Sequence, residues 1–373
     1  MYLPGFPEMA KDFDTSPTMV QLTLSSFLIG LAIGQFVIGP LSDGIGRRPL
    51  LLSGSILCAV AVVVCVVAPT IEVLIAARFF QGIGGAAGIV LARAIVADLT
   101  EGVTTARLIS ALMVLASTAP IIAPSIGGVA VLLGGWRTAM GVLLALTVVM
   151  VALAGALVPE SLPPERRRPA GLRTVITNGR AVLTRRRYLG FMLTAVFAFA
   201  SVFSYSSSSS FVLQGTLGLG PSAYAAVFGI NGIGMVLVGT LAVRLAGRVR
   251  FVRLATVGLS LSLAASTTLS LLGSAPSLGV AWPLMTVGVA SLGLVLGSAT
   301  ALATQEARDY AGTGSAYQGA LQFAAGALVA PIVGLANGGP WAMGASMAAC
   351  SVIALAALHW GDGGPRHAID QAF

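Results

Sequence analysis

A short polar stretch between two apolar runs carries the first residues that could do chemistry. It reads GPLSDGIGRRP and covers residues 39–49. Asp43 stands four residues before Arg47 and five before Arg48, so opposite charges can pair at this point. A basic turn at a membrane face would explain the arginines but not the aspartate. The stretch therefore predicts a charged turn between two helices. Its backbone freedom comes from Gly39 and Gly46.

The apolar run RFFQGIGGAAGIVLAR contains charged and polar residues at helical spacing. Arg78, Gln81, Gly82 and Arg93 recur at steps that place them on one face of a helix. An arginine inside a membrane span costs roughly 2.5–3.5 kcal/mol and usually faces a cavity or a partner. We therefore expect this face to be turned toward other helices or water. Close helix packing would also explain the glycine. Asp98 follows five residues after Arg93, beyond the end of this run.

The stretch STAPIIAPSIGG combines prolines with small residues. Pro120, Pro124 and Gly128 recur every four residues, and Gly127 precedes the last of them. Along this stripe of the helix the prolines lack backbone N–H donors and the glycine lacks a side chain. This predicts a bent helix that packs tightly against a neighbour, although prolines are common in membrane helices.

The composition shows which kind of element positions these residues. Hydrophobic residues make up 56% of the 373 residues and charged residues only 9%, whereas soluble domains carry roughly 25% charged residues. Apolar runs of about 20 residues match the length that a helix needs to cross a bilayer. The sequence therefore predicts an all-α membrane protein, because only helices satisfy every backbone group within such a segment.

The apolar runs fall into a group of five and a group of six. The first group lies near residues 19–39, 50–68, 73–97, 108–133 and 136–158. The second group lies near residues 188–213, 223–243, 252–272, 277–303, 313–335 and 340–360. Between them, residues 159–187 form the only long polar segment. We predict an N-terminal bundle over 1–158, a basic linker over 159–187, a C-terminal bundle over 188–360 and a tail over 361–373.

The arginines predict the orientation of these spans. If the spans alternate, almost every arginine falls on one side, including the eight between Arg166 and Arg187. The other side holds only Lys11 and Arg137. The positive-inside rule then places the linker and the C-terminal tail in the cytoplasm of a multi-pass protein of the inner (plasma) membrane. The arginines lie at the ends of apolar runs, so the net charge of +8 indicates a lipid bilayer as partner and no nucleic acid.

Other chemistries find little support in the sequence. The three cysteines lie inside apolar runs without the spacing of metal ligands, so we expect no metal site. Lys11 is the only lysine, which excludes the Gly-Lys-Ser/Thr of a Walker A loop. Both histidines lie at the C-terminal end, and no cluster of acid, base and nucleophile appears at one membrane depth. We expect no enzymatic activity and no cofactor.

Several of these stretches resemble one membrane protein family. GPLSDGIGRRPLL is similar to motif A of the major facilitator superfamily, RFFQGIGGAAG to its motif B, and APIIAPSIGG to its antiporter motif C with alanines in place of the first glycines. MYLPGFP, LARAIVADL and AGTGSAYQGALQFAAGALVAPIVG resemble the Bcr/CflA subfamily of drug and proton antiporters. The resemblance covers essentially the whole chain.

This resemblance implies a fold, a function and a gate. The fold has two six-helix bundles around a central cavity that opens alternately to each side. The function is export of small drug-like molecules in exchange for protons, by what we expect to be a monomer. Asp43 would hold the two bundles together on the cytoplasmic side, near the start of the span at Thr313. Arg47, Arg93 and Asp98 would exchange partners as that interface opens.

The family expects twelve spans, whereas this sequence contains eleven. In the family an acidic residue commonly precedes the MYLP-like sequence, and none of the acids in this chain falls at the bilayer midplane. We therefore expect most of a first helix to be missing before Met1. The alternative is a non-coupled or non-transporting remnant that keeps the transporter fold and only binds ligands.

Polar and aromatic residues within spans are the candidates for the substrate cavity. Drug cavities are mostly apolar with a few placed polar groups. Each candidate could instead form hydrogen bonds between helices. The candidates are Gln21, Phe203, Tyr205, Asn231, Tyr317, Gln318 and Gln322.

Overall fold

The computed structural model describes residues 1–167, 172–246, 248–273, 276–335 and 339–363. Regular structure in these residues is entirely helical, which confirms the predicted all-α fold. The helices are α1 (Phe6–Asp12), α2 (Pro17–Ile45), α3 (Arg47–Val67), α4 (Ile71–Leu99), α5 (Gly102–Leu157), α6 (Leu172–Leu183), α7 (Arg186–Ser210), α8 (Pro221–Leu245), α9 (Phe251–Leu271), α10 (Leu278–Glu306), α11 (Ala311–Leu335) and α12 (Pro340–Asp362). Ten helical segments of the described chain are long and apolar enough to cross a membrane.

Helix α5 has 56 residues and a break at Gly134 and Gly135. The φ of Gly135 is +76°, a value that glycine adopts readily and other residues rarely do. The break falls between the predicted spans 108–133 and 136–158, so α5 consists of a first arm over 102–133 and a second arm over 136–157. At the break, the carboxylate of Glu8 accepts the backbone N–H of Trp136 at 3.0 Å. Several side chains of the first arm, including that of Pro120, lie outside the described residues.

Glycines allow the helices of the first half to cross at close range. A Cβ on Gly82 of α4 would collide with the backbone oxygen of Phe27 in α2. Conversely, a Cβ on Gly30 of α2 would collide with the backbone oxygen of Phe79 in α4. Only glycine permits this approach, and membrane helices gain stability from the packing it allows. The predicted small-residue face of α4 therefore packs against α2.

The helices form two groups that meet along two seams. Helices α2, α3, α4 and α5 pack against one another, and so do α7, α8, α9, α10, α11 and α12. Between the groups, α2 packs along α11 and the first arm of α5 packs along α8. Large apolar side chains remain exposed on the outer faces of many helices, as expected for surfaces that contact lipid.

The polar segment between the groups contains a helix that the sequence analysis did not predict. Helix α6 contacts α2, α7 and α11. Its Val182 is buried whereas Arg180 is exposed, so the helix is amphipathic. Gly179 of α6 lies against the ring of Tyr317 in α11. The linker thereby covers one end of the seam between α2 and α11.

Candidate functional site

The charged turn lies between α2 and α3, where Gly46 has a φ of +114°. This conformation starts α3 directly after α2 and brings Arg47 back toward the end of α2. The Arg47 Nη1 donates to Asp43 Oδ1 at 2.6 Å, and its Nε donates to Asp98 Oδ2 at 2.9 Å. The side chain of Arg47 is only 11% exposed, whereas that of Asp43 is 51% exposed. One guanidinium thus joins carboxylates from α2 and α4, as its fixed fork of donors allows.

Glu160 completes the charged turn, and the sequence analysis did not single it out. Its Oε1 accepts the backbone N–H groups of Arg47 at 2.9 Å and Leu162 at 3.0 Å. Burial by itself would raise the pKa of Glu160, but hydrogen bonds from the backbone N–H groups of Leu162, Arg47 and Arg48 bring this pKa below its ordinary value. A carboxylate just after the last span of the first half was the only signal in the sequence.

Arg48 makes a different contact from its neighbour. Its Nη2 donates to the backbone oxygen of Gly155 in the second arm of α5 at 2.8 Å. The Oγ of Ser161, which follows the same arm, donates to Asp98 at 3.0 Å. The turn therefore connects α2, α3, α4 and the end of α5 at one end of the molecule.

A cavity of about 450 Å³ adjoins the charged turn. Its walls come from α2, α4 and α11, and from Arg47 at the start of α3. The charged side chains in the walls are Asp43, Arg47 and Arg93, and Thr313 lies in the first turn of α11. The structure thus places Asp43 and Arg47, two of the residues proposed from motif A, beside the start of α11. Gly39 also lines this cavity.

Ion pairs hold the end of α10 and the turn between α10 and α11 against the start of α7. The Arg187 Nε donates to Glu306 Oε1 at 2.6 Å, and both side chains are 11% exposed. Arg185 pairs with Asp309 at 2.9 Å. Tyr188 Oη donates to the backbone oxygen of Gly314 at 2.9 Å. These contacts fix the turn that leads into α11, and the sequence analysis missed them because their members are distant in the chain.

Arg78 is buried near the opposite end of α4. Its guanidinium lies 4.5 Å from the ring centre of Tyr2 and 4.2 Å from that of Phe27, so it contacts two aromatic rings. The same group donates to Gln81 Oε1. Among the described residues, its Nε has no hydrogen-bond partner. The predicted polar face of α4 is therefore divided, with Arg78 and Gln81 buried and Arg93 at the cavity.

The proline and glycine stretch of α5 faces the second half and the N-terminal segment. Gly128 packs against Ala225 and the backbone of Pro221 in α8, and Gly127 packs against the backbone of Met1. Pro124 is buried as well. These small residues permit the seam between α5 and α8.

Two of the seven cavity candidates bond directly to each other. Asn231 Nδ2 donates to Tyr205 Oη at 2.8 Å, and Thr286 Oγ1 donates to Asn231 Oδ1 at 2.7 Å. This buried network joins α7, α8 and α10, and Thr286 was not predicted. Gln21 Nε2 donates across the molecule to the backbone oxygen of Ser207 at 3.3 Å. Ser207 belongs to the serine run that ends α7, in which residues 207–210 are fully buried.

The other four candidates make separate contacts. Phe203 packs against Phe199, and the ring of Tyr317 meets that of Phe36 edge-on at 4.8 Å. Gln318 donates to Thr300 Oγ1 at 2.8 Å. Gln322 donates to a backbone oxygen of α7 at 3.5 Å. Tyr317 thus lies beside the cavity of the charged turn, on the seam between α2 and α11.

Comparison with known families decides what this arrangement is. Residues 1–331 match the family described as Major Facilitator Superfamily. The chain belongs to the major facilitator superfamily. Solved members of this superfamily share the fold: a bacterial homologue of the lysosomal transporter Spinster aligns with a TM-score of 0.75 at 17% identity and covers 96% of this chain and 91% of that one. A D-xylose–proton symporter aligns with a TM-score of 0.70 at 17% identity and covers 95% and 92%.

Relatives within the superfamily are closer in sequence. The MFS-type transporter YdgK of Bacillus subtilis is 35% identical over 95% of this chain and 89% of its own length. A bicyclomycin resistance protein homolog of Haemophilus influenzae is 31% identical over 96% of this chain and 91% of its own length. The predicted resemblance to Bcr/CflA-type transporters is thereby confirmed. Like other members, the protein is a multi-pass membrane transporter.

Proposed function

We propose that this transporter exports small drug-like molecules in exchange for protons by alternating access. Support comes from its relatives, which include multidrug resistance protein D of Escherichia coli, 27% identical over 61% of this chain. The resemblance of its motifs to those of drug and proton antiporters supports the exchange with protons.

The single observation that carries the proposal is the position of the charged turn. Arg47 pairs with Asp43 and Asp98 beside a cavity that reaches the first turn of α11. A carboxylate at this place can be attracted by Arg47 or by the positive end of α11, which is worth roughly 0.3–1 kcal/mol at a helix terminus. A carboxylate that can exchange one partner for the other suits an interface that opens and closes.

The substrate would bind between the halves, near the network of Tyr205 and Asn231. This network offers hydroxyl and amide groups among apolar side chains, which is typical of drug sites. Gln21 reaches the same helix from the first half. A molecule held by both halves would be released when they rock apart.

Sidedness and assembly complete the proposal. The linker with α6 and the C-terminal tail would lie in the cytoplasm, with the protein in the inner membrane as a monomer. Cysteine labelling from one side of intact cells tests the topology, because the three native cysteines are buried and should react slowly. A cysteine introduced into the loop that contains Lys11 should be labelled from outside the cell. A cysteine introduced into α6 should be labelled only after permeabilisation.

Drug accumulation in cells tests the transport itself. Cells that lack their own exporters should accumulate less of at least one drug when they express this protein, and collapse of the proton gradient should abolish the difference. The variant Asp43→Asn, which removes the carboxylate that Arg47 binds, should be expressed at the same level without lowering drug accumulation. It therefore controls for the effect of expression alone. Unchanged accumulation for every drug tested would contradict the proposal. Drug binding to the purified protein without transport would favour a ligand-binding remnant instead.

A further inference from the structure

The turn between α8 and α9 carries four arginines within ten residues: Arg244, Arg248, Arg250 and Arg253. All four are exposed. Within the described part of the chain, the only acidic partner in this group is Asp362, which lies 3.6 Å from Arg250. The first turn of α9 contains no acidic residue. The positive charges of these guanidinium groups repel one another, and an external anion between them would offset this repulsion.

The charged turn between α2 and α3 shows how the same protein treats arginines that it uses internally. There, Arg47 is bound by Asp43 and Asp98, and Arg48 bonds to the backbone of Gly155. In contrast, the side chains of Arg244, Arg248 and Arg253 make no hydrogen bond or ion pair to any described residue. The N–H donors of these three side chains are therefore available to a partner outside the chain.

Exposed apolar stripes lead from these arginines into the membrane. On α9, Arg253, Val257 and Leu261 follow one another at four-residue steps and lie on one face. On α8, Leu237 and Leu241 precede Arg244 on a similar face. Leu237 is 65% exposed and Val257 is 52% exposed, so both stripes are open to acyl chains.

We propose that the α8–α9 turn binds an anionic phospholipid, with the headgroup phosphate between the arginines and the acyl chains along the two stripes. Arginine binds phosphate through two parallel N–H donors, and its long side chain reaches the headgroup level from a helix end. A zwitterionic phospholipid fits less well, because its own cation would meet the arginines. The proposal concerns a lipid site and does not depend on drug export.

Native mass spectrometry of the purified chain in detergent tests this site. Phosphatidylglycerol and phosphatidylcholine with identical acyl chains are titrated separately, and bound lipid is counted. We expect phosphatidylglycerol to bind more tightly. In the triple variant Arg244→Gln/Arg248→Gln/Arg253→Gln this affinity should fall at least about tenfold, because three cations that attract the anionic headgroup are removed.

A second triple variant controls for total charge. Arg107→Gln/Arg180→Gln/Arg308→Gln removes three arginines that are also exposed but lie outside the turn. We expect it to bind phosphatidylglycerol almost as the native chain does. Equal losses in the two triple variants, or equal binding of both lipids by the native chain, would overturn the proposal. The single variant Arg253→Gln repeats the test if the first triple variant folds poorly.

Discussion

At the scale of single residues, Arg47 has the most demanding role in the proposed gate. It is 11% exposed and binds carboxylates from two helices through different nitrogen atoms. Lysine has the same charge but presents one compact ammonium group without the planar fork. Charge alone therefore cannot reproduce the geometry of this residue. Its neighbour Arg48 donates one hydrogen bond to a backbone oxygen, a bond that lysine can also make.

The variant Arg47→Lys should accordingly reduce drug export by roughly fivefold or more, the usual range for lost coupling between sites. Arg48→Lys, the matched control one position away, should retain most of the activity. Efflux rates from preloaded, energised cells at equal expression measure both. Equal activity of the two variants would show that only the positive charge matters at this turn.

Glu160 should make stability depend on pH in a defined direction. Because the pKa of Glu160 in the folded protein lies below its ordinary value of 4.5, its contribution is present above pH 4.5 and is lost as the pH falls through the folded pKa. Glu160→Gln should therefore lower the free energy of unfolding by about 1–2 kcal/mol at pH 7. The difference should shrink below pH 4.5, as followed by thermal unfolding in detergent.

Glu8 provides a control of opposite sign. Burial is the largest influence on Glu8 and raises the pKa of its carboxyl group above the ordinary value. Its contribution is therefore present below the ordinary pKa and is lost as the pH rises through the folded pKa. If Glu8→Gln and Glu160→Gln showed the same dependence on pH, this explanation would be wrong.

At the scale of elements, the crossing of α2 and α4 depends on glycine. Gly82 and Gly30 let the backbone of each helix touch the other, whereas Gly88 on the same α4 has no atom within 4 Å of an added Cβ. Gly82 and Gly88 are the same residue type on the same helix. Substitution of each one therefore separates the effect of packing from the effect of helix propensity.

Gly82→Ala should destabilise the protein by about 1–3 kcal/mol, because the new methyl group forces the helices apart. Gly88→Ala should leave the stability unchanged or raise it slightly, since alanine is the better helix former. The midpoint of thermal unfolding of the purified variants decides between them. A loss of similar size in both would mean that the close approach of α2 and α4 is not what requires glycine.

At the scale of the whole molecule, alternating access requires the two groups of helices to separate at one end. The ring of Phe36 in α2 meets that of Tyr317 in α11 beside the cavity of the charged turn. By contrast, the rings of Phe199 and Phe323 meet at 5.4 Å within the second group. A covalent cross-link between positions 36 and 317 would therefore join the two groups of helices. A cross-link between positions 199 and 323 would stay within the second group.

Cross-linking of Phe36→Cys/Tyr317→Cys with a short thiol reagent should therefore stop drug export, and a reductant that cleaves the link should restore it. The pair Phe199→Cys/Phe323→Cys, treated in the same way, should continue to export. Drug accumulation before and after reduction measures both. Continued export by a fully cross-linked Phe36→Cys/Tyr317→Cys variant would exclude separation of α2 and α11 at this level.

The amino-acid sequence by itself determined the membrane helices and most of their ends. Apolar runs of fixed length can satisfy their backbone only as helices, and the glycine pair at 134–135 ends one span and begins the next. The spacing of Arg78, Gln81 and Gly82 also predicted a polar face on α4 that is turned toward other helices or water. These features depend on neighbours within one or two helical turns, so they can be read from the chain.

Only the tertiary structure decided which distant residues meet. Glu160 joins Arg47 across more than 100 residues, and Arg187 pairs with Glu306 across a similar separation. The helix α6 in the polar linker and the position of Tyr317 on the seam also required the packing of both groups. The physical reason is that such contacts depend on how the helices cross, which the local pattern of apolar and polar residues does not specify.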